Sequence, residues 1–260
     1  MYFLVRPLRF RGKARLMNMV GPNSGIRRAR IFGSVFELDL EDFIQRQIYL
    51  GTFEPDETGL VKRHLRPGMT FVDVGANVGY YTALAARQVA GSGGRVISFE
   101  PSLYAFEKLH SMVRGNKLEQ VTAVHAGLSD AAGPGKLYLG VGFHNHSPNM
   151  IAHENTTATE ITVVSLDDEE ARLGINKIDL MKIDVEGHEP KVLAGAKRLL
   201  SQGRIRAILC EFNEDWLSKA GSSPRHLENI LREAGFVEAD HKHAARGLEN
   251  RFFQLPGSVG

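Results

Sequence analysis

Between Thr70 and Thr82 the chain reads TFVDVGANVGYYT: an apolar run closes on Asp73, turns through Gly75, Asn77 and Gly79, and enters an apolar helical pattern. A second apolar run, RVISFE, closes on Glu100. A glycine-bearing turn between strand and helix, with an acid about twenty residues further on, is how an α/β sheet builds a nucleoside-cofactor pocket. Glu100 can accept both ribose hydroxyls, which indicates a ribose without saying which cofactor carries it. Asn77 stands where a dinucleotide turn has its second glycine, the one that lets backbone approach a pyrophosphate. A side chain there, beside the acid Asp73, disfavours a pyrophosphate and suits a zwitterionic methionine tail with a sulfonium. The expected cofactor is therefore S-adenosylmethionine. Asp73 would help to hold its amino group, Gly75 would give close approach or positive φ, and Gly79 would give minimal bulk. Ser129 and Asp130, after a third apolar run, are expected to reach an adenine edge, although a strand-ending Asx turn explains the same pair.

A second acidic cluster lies in KIDVEGHE, from Lys182 to Glu189. Alternation puts Lys182, Asp184 and Glu186 on one side of a strand. Glu211 and Asn213 close a fifth run with the same alternation, and two neighbouring strands about 4.8 Å apart would bring Asp184 and Glu211 to one mouth. Gathered carboxylates are costly unless something positive sits among them. Lys182, the sulfonium, a cationic substrate or a divalent metal could serve. A metal is not favoured, because a dedicated ligand spacing is missing; if one were bound, Asp184, Glu211 and Asn213 would hold it. His144 and His146, on a polar loop, are read as substrate contacts together with Glu211 and Asn213. Methyl transfer is an in-line displacement in which alignment does much of the work, and an aliphatic hydroxyl needs a base. His188 is the candidate by type and Asp184 by position. Glu186 could orient His188 or bind substrate. Lys182 could stabilise an alkoxide or simply pair with Asp184.

The elements that must position these residues are legible as alternation of short β-rich runs with helical stretches, the pattern of a doubly wound sheet. The runs are 70–75, 95–100, 121–128, 179–185 and 204–212; helices are expected over 79–89, 102–116, 189–201 and 224–234. Two further strands, 236–240 and 251–255, are expected to pair as a terminal hairpin. Ahead of the core, 34–40 reads as a strand and 42–50 and 54–65 as helices, so residues 1–66 are expected to form a basic arm and cap on a domain spanning 67–260. The stretch 140–160 reads as a long polar loop of functional type.

Composition narrows the class. The 260 residues are 43% apolar with a net charge of +2, enough for a sizeable core. No apolar run is long enough to span a bilayer, and arginines interrupt the first ten residues, which argues against a secretion signal. The single cysteine, Cys210, reads as a core residue and suits a reducing, cytoplasmic setting. Arg6, Arg9, Arg11, Lys13, Arg15, Arg27, Arg28 and Arg30 precede the first acid, Glu37. They read as a solvated tail, or alternatively as a docking arm for an acidic partner.

The order VDVGANVGYYT, FEP, GLSD, SLDD (165–168), IDLMKIDVEGHEPKVLAGA (178–196) and ILCEF (208–212) resembles the FkbM family of S-adenosylmethionine-dependent methyltransferases over roughly 67–212. The resemblance implies a Rossmann-like class I methyltransferase fold: α/β, a seven-stranded, mostly parallel sheet in the order 3-2-1-4-5-7-6, with helices on both faces and the seventh strand antiparallel. It implies O-methylation of a small hydroxylated acceptor such as a sugar or a glycosylated or polyketide-like product. Family roles fall on Asp73, Gly75, Asn77, Gly79 and Glu100 for the cofactor, and on Asp184, Glu186 and His188 for the cofactor–substrate mouth. A lipid-linked glycan or other macromolecule docked by the arm is the alternative acceptor. A nicotinamide oxidoreductase and a non-catalytic nucleoside-binding module are disfavoured, and nucleic acid is not the expected partner. The oligomeric state, a homodimer included, stays open.

Overall fold

The computed structural model describes residues 12–140, 150–151, 156–239 and 248–257. Ahead of the core lie α1 (Lys13–Val20), β1 (Ile26–Ile31), β2 (Ser34–Asp39), α2 (Phe43–Leu50) and α3 (Pro55–His64). β1 and β2 form an antiparallel hairpin turning at Phe32 and Gly33, both at positive φ. β1 was not foreseen. Its arginines and Ile26 are the exposed positions around buried Ala29, and Arg28 pairs with Glu37 at 3.3 Å, so this part of the basic segment is an ordered strand and not a tail. Phe36, Leu38, Leu40 and Ile48 share one apolar cluster with Val78, Ala83, Leu109 and Met112, so the forepart is packed onto the helices that follow.

The main sheet is built from β3 (Thr70–Val74), β4 (Arg95–Phe99), β5 (Val121–Val124), β9 (Leu180–Ile183), β10 (Ala207–Asn213), β11 (Val237–Ala239) and β12 (Leu248–Gln254). Its order is β5-β4-β3-β9-β10-β12-β11, with β12 antiparallel to both neighbours and the remaining pairs parallel. This is the expected 3-2-1-4-5-7-6 order, and the expected terminal pair is β11 with β12. Parallel strands covered on both faces read as continuous apolar runs, as the fully buried β9 does. Alternation sends Phe71, Val96 and Leu209 into one core with Leu84 and Val89 of α4 (Tyr80–Val89). Val72, Ile97, Met181 and Ile208 point into the other. The chain leaves β3 towards β4 and β5, then returns to place β9 on the other side of β3. The topological switch point, where doubly wound sheets bind ligands, is thus at the ends of β3 and β9.

The third run divides. After β5 the chain turns at Ala126 and Gly127–Leu128 becomes β6, which joins β7 (Gly133–Gly140) and β8 (Thr156–Val164) in a separate sheet ordered β6-β8-β7. The expected loop over 140–160 is therefore in part a strand, since residues 156–160 belong to β8; His144 and His146 lie outside the described residues. The expected helix 189–201 is two, α7 (Glu189–Ala194) and α8 (Lys197–Ser201), separated where the Gly195 backbone presses on Ser129: an added Cβ would lie 1.9 Å from the Ser129 carbonyl oxygen. The remaining helices are α5 (Leu103–Gly115), α6 (Leu166–Leu173), α9 (Glu214–Lys219) and α10 (Pro224–Glu233). Among the described residues no helix is long and apolar enough to cross a membrane.

Candidate active site

β3 delivers the chain into the turn at Gly75, where φ is +79° and the backbone touches the exit of β9: a Cβ there would lie 2.0 Å from the Asp184 carbonyl oxygen. Glycine is required by contact between two loops, whatever the turn binds. Gly79 (φ +89°) opens α4 against α5, with Leu109 Cδ1 and Met112 Cε each 2.7 Å from a notional Cβ. Between them Asn77 adopts φ +50°, and its Oδ1 accepts from Val78 N at 2.8 Å. Gly75 N and Ala76 N both donate to the Phe99 carbonyl at 3.0 Å. Glu100 then ties the two turns together: Oε2 accepts from Asn77 N and Oε1 from Ser102 N, each at 2.8 Å. Only 6% exposed, Glu100 is pushed up to about 7 by burial, although both N–H groups favour its anion.

This clamp lies in the wall of a cleft of about 1200 Å³, counting the open solvent at its mouth. The turn Gly75–Val78 forms one side and Asp184–Glu186 with Glu211 another; Gly127 and Leu128 contribute from β6, and Ile48, Phe53 and Glu54 from the forepart. Lys182 stands at the base, 2% exposed, with Nζ 2.6 Å from Asp184 Oδ2 and 4.6 Å from the Tyr81 ring centre. Burial acts to lower its pKa, but the carboxylates of Asp184, Glu54 and Asp73 outweigh it and hold the ammonium well above its ordinary value. As expected, Asp184 and Glu211 converge, because β9 and β10 are parallel neighbours. Glu211 is 7% exposed and its Oε2 has no hydrogen-bond partner among the described residues. Burial, then Asp184, Glu186 and Glu189, push its carboxyl far upward.

Other expected residues sit elsewhere. Asp73 lies beneath the turn, 1% exposed and off the cleft wall, accepting from Thr82 Oγ1 at 2.7 Å; Thr82 is also 2.7 Å from Ser98 Oγ. Burial pushes Asp73 up to about 6. His188 is off the wall as well: Nε2 lies 3.1 Å from Ser129 Oγ, which donates to Asp130 Oδ1 at 2.9 Å. Burial and then Lys191 press the imidazole down to about 4, against Asp130. His188, Ser129 and Asp130 lie off the wall on which the spacing places them. Gly187 (φ +92°) swings the chain away after Glu186, so His188 joins Ser129 and Asp130 behind the site, and Gly127 and Leu128 face the cleft in place of the Ser–Asp pair. Asn213 caps α9, accepting from Trp216 N at 3.3 Å, because β10 ends there. Among the described residues no group of three or more His, Cys, Asp or Glu is arranged to hold a metal.

Glu189, Glu54 and Tyr81 take roles that their place in the sequence does not indicate. Glu189 is 1% exposed and closes the KIDVEGHE loop by accepting from Val185 N (3.2 Å) and Gly187 N (3.1 Å); burial pushes it up to about 7. Glu54, at the start of α3, adopts φ +37° and accepts from Tyr81 OH at 2.6 Å. Burial pushes Glu54 up to about 7, with Lys182 opposing and Asp184 and Glu57 adding. Nothing in the spacing around Glu54 or Tyr81 links either to the strand ends. The pairing arises only because α3 packs beside α4.

The sequence matches the profile of the methyltransferase FkbM domain over residues 73–238. It is 32% identical over 180 residues to the 31-O-demethyl-FK506 methyltransferase FkbM of Streptomyces tacrolimicus, covering 58% of this chain and 67% of the relative. It is 27% identical over 168 residues to the hexuronic acid methyltransferase AglP of Haloferax volcanii, covering 62% of this chain and 61% of the relative. Among solved structures, the methyltransferase FkbM of Methylobacillus flagellatus KT superposes with a TM-score of 0.50 at 16% identity, over 82% of this chain and 55% of that one.

Proposed function

The chain belongs to the FkbM methyltransferase family, and on that premise we propose that it transfers a methyl group from S-adenosylmethionine to a hydroxyl of a small molecule, a sugar or a glycosylated or polyketide-like metabolite. The observation that carries this reading is the Glu100 clamp: a buried carboxylate on the cleft wall, with each oxygen bound to one backbone N–H. Each oxygen keeps a further lone pair, so the carboxylate can accept from both hydroxyls of a vicinal diol. Glu100 would hold the ribose, the Gly75–Val78 turn the amino-acid tail, and Gly127 and Leu128 the base. When bound, the donor supplies an electrophilic methyl carbon on a cationic sulfur. Asp184 is the proposed proton acceptor for the hydroxyl, its Oδ2 held by Lys182 Nζ at 2.6 Å. The forepart, residues 1–66, acts as a cap over a catalytic unit spanning 67–260, in keeping with Ile48, Phe53 and Glu54 on the cleft wall. Support for the acceptor class comes from the relatives, whose names give 31-O-demethyl-FK506 and a hexuronic acid as what they act on.

Calorimetry with S-adenosylmethionine, S-adenosylhomocysteine and NAD⁺ tests the donor: the first two should bind and NAD⁺ should not. Glu100→Ala should weaken donor binding by about 100-fold, since a buried clamp and a diol contact go together. A methyl-transfer screen over hydroxylated metabolites, with and without chelator, tests the acceptor and any metal. With an acceptor in hand, Asp184→Asn should lower kcat by roughly 10²–10⁴-fold; full turnover would remove the aliphatic-hydroxyl reading. The exposed arginines of β1 favour a second acceptor class, a polyanionic macromolecule, whose binding would fall steeply with salt.

A further inference from the structure

A methionine tail carries an ammonium as well as a carboxylate, and a buried ammonium needs an anionic partner. Asp73, the residue whose spacing suggests it for that task, is under the floor and already engaged by Thr82. The partner must come from the carboxylates that reach the cleft wall. Asp42 caps α2 through Gln45 N at 2.9 Å. Glu100 is taken by the ribose in the donor reading, its oxygens also accepting from Asn77 N and Ser102 N, and Asp184 is paired with Lys182 at 2.6 Å. Glu211 sits among Asp184, Glu186 and Glu189, which with burial keep it in its protonated form; Glu186, also on the wall, belongs to this acidic group at the exit of β9, beside the Asp184 assigned to the acceptor. Glu54 differs. It is half-buried, it comes from outside the family-matched segment, and its side chain turns into the cleft although it holds the cap position of α3 without capping it. Its backbone takes a left-handed conformation that a side-chain-bearing residue seldom adopts, and strain of this kind persists where surrounding structure holds it for a purpose. Tyr81 OH fixes one carboxylate oxygen at 2.6 Å. The charged groups around it are Lys182 from β9, Asp184 beyond β9 and Glu57 from its own helix.

We propose that Glu54, supplied by the forepart, is the carboxylate that receives the α-ammonium of the donor's methionine tail, with Tyr81 holding it in place. The proposal rests on the donor reading above and deepens it: the donor pocket is incomplete without the cap. Half-neutral near pH 7, Glu54 is drawn fully to its anion by an incoming ammonium, so donor binding tightens as pH rises through that value.

The test is calorimetry on the full chain at pH 8 with two probes. S-adenosylhomocysteine carries the tail, and 5′-methylthioadenosine has the same adenosine and sulfur without it. Glu54→Gln should weaken the first by about 10- to 100-fold, the range for a lost charge-assisted hydrogen bond, and leave the second within twofold. Retained 5′-methylthioadenosine binding doubles as evidence that the variant is folded. Glu54→Asp should recover part of the loss. An equal loss for both probes would make Glu54 a residue that shapes the cleft and overturn the proposal, as would no loss for either. Failure of the unaltered chain to bind either probe would instead remove the donor reading, and this inference with it.

Discussion

Ser129 Oγ lies 3.1 Å from His188 Nε2, and this bond holds the imidazole in an environment that favours its neutral form. A histidine so placed is off the cleft wall and is expected to take no part in proton transfer from an acceptor there. His188→Gln is therefore expected to leave donor affinity and turnover within about threefold, while costing on the order of 1 kcal/mol of stability through the lost buried hydrogen bond. A urea titration read beside a turnover assay checks both. A hundredfold loss of kcat at unchanged stability would return His188 to the chemistry. Residue type alone could not settle this point. KIDVEGHE shows where the acids gather, but Gly187, with positive φ, sends His188 behind the site, and a spacing rule that assumes a continuing strand cannot see that turn. Glu54 was invisible for the converse reason: it reaches the site from a separate element.

At the scale of elements, the ends of β3 and β9 are pressed together at Gly75, and the site depends on that contact. Gly75→Ala combines positive φ with a 2.0 Å clash against backbone, which cannot swing aside as a side chain can. A loss of roughly 3 kcal/mol or more is expected, towards the large end for single substitutions. Gly115→Ala, at the end of α5 with nothing within 4 Å and ordinary φ, should instead be neutral or stabilise by up to about 1 kcal/mol. Chemical denaturation of the two variants gives the comparison. Similar midpoints for both would mean that the β3–β9 contact can relax. The seven strands of the main sheet were legible because apolar runs separated by helical patterns admit few arrangements. The small sheet was not. GKLYLG and TATEITVV alternate as strands do, yet they flank a polar stretch, and a hairpin read across that stretch looks like one long loop. β1 was hidden for a similar reason: its exposed face is arginine, so one side of an alternating strand passed for a charged tail.

Taken over the whole molecule, the cleft and its floor concentrate carboxyl groups whose protons are held by folding. Glu54, Glu100 and Glu189 are pushed up to about 7 and Asp73 to about 6, burial being the main cause in each, and Glu211 is driven up as well. Their folded pKa values lie above those of the unfolded chain, near 4 to 4.5. Between those limits the folded protein binds more protons than the unfolded one, so stability is greatest below the window and declines as pH rises through it. His188 has the opposite sign: its folded value of about 4 is below the ordinary 6.5, so its contribution is lost as pH falls across that interval. Within that window the imidazole is outnumbered; Asp130, Glu170 and Glu228, held below their ordinary values chiefly by hydrogen bonds, add their opposing sign on the acid side and keep the maximum from moving below about pH 5. The ligand-free protein should therefore melt at its highest temperature near pH 5 and at a lower one near pH 8, the reverse of what salt-bridged carboxylates produce. A cationic donor favours the ionised carboxyls, so saturating S-adenosylmethionine should raise the melting temperature more at pH 8 than at pH 5.5. Scanning calorimetry across this range, with and without donor, reads both effects. A melting temperature that climbs steadily from pH 5 to 8 without ligand would mean that these carboxyls are ionised in the folded state, and that the cleft is far more hydrated than its packing indicates.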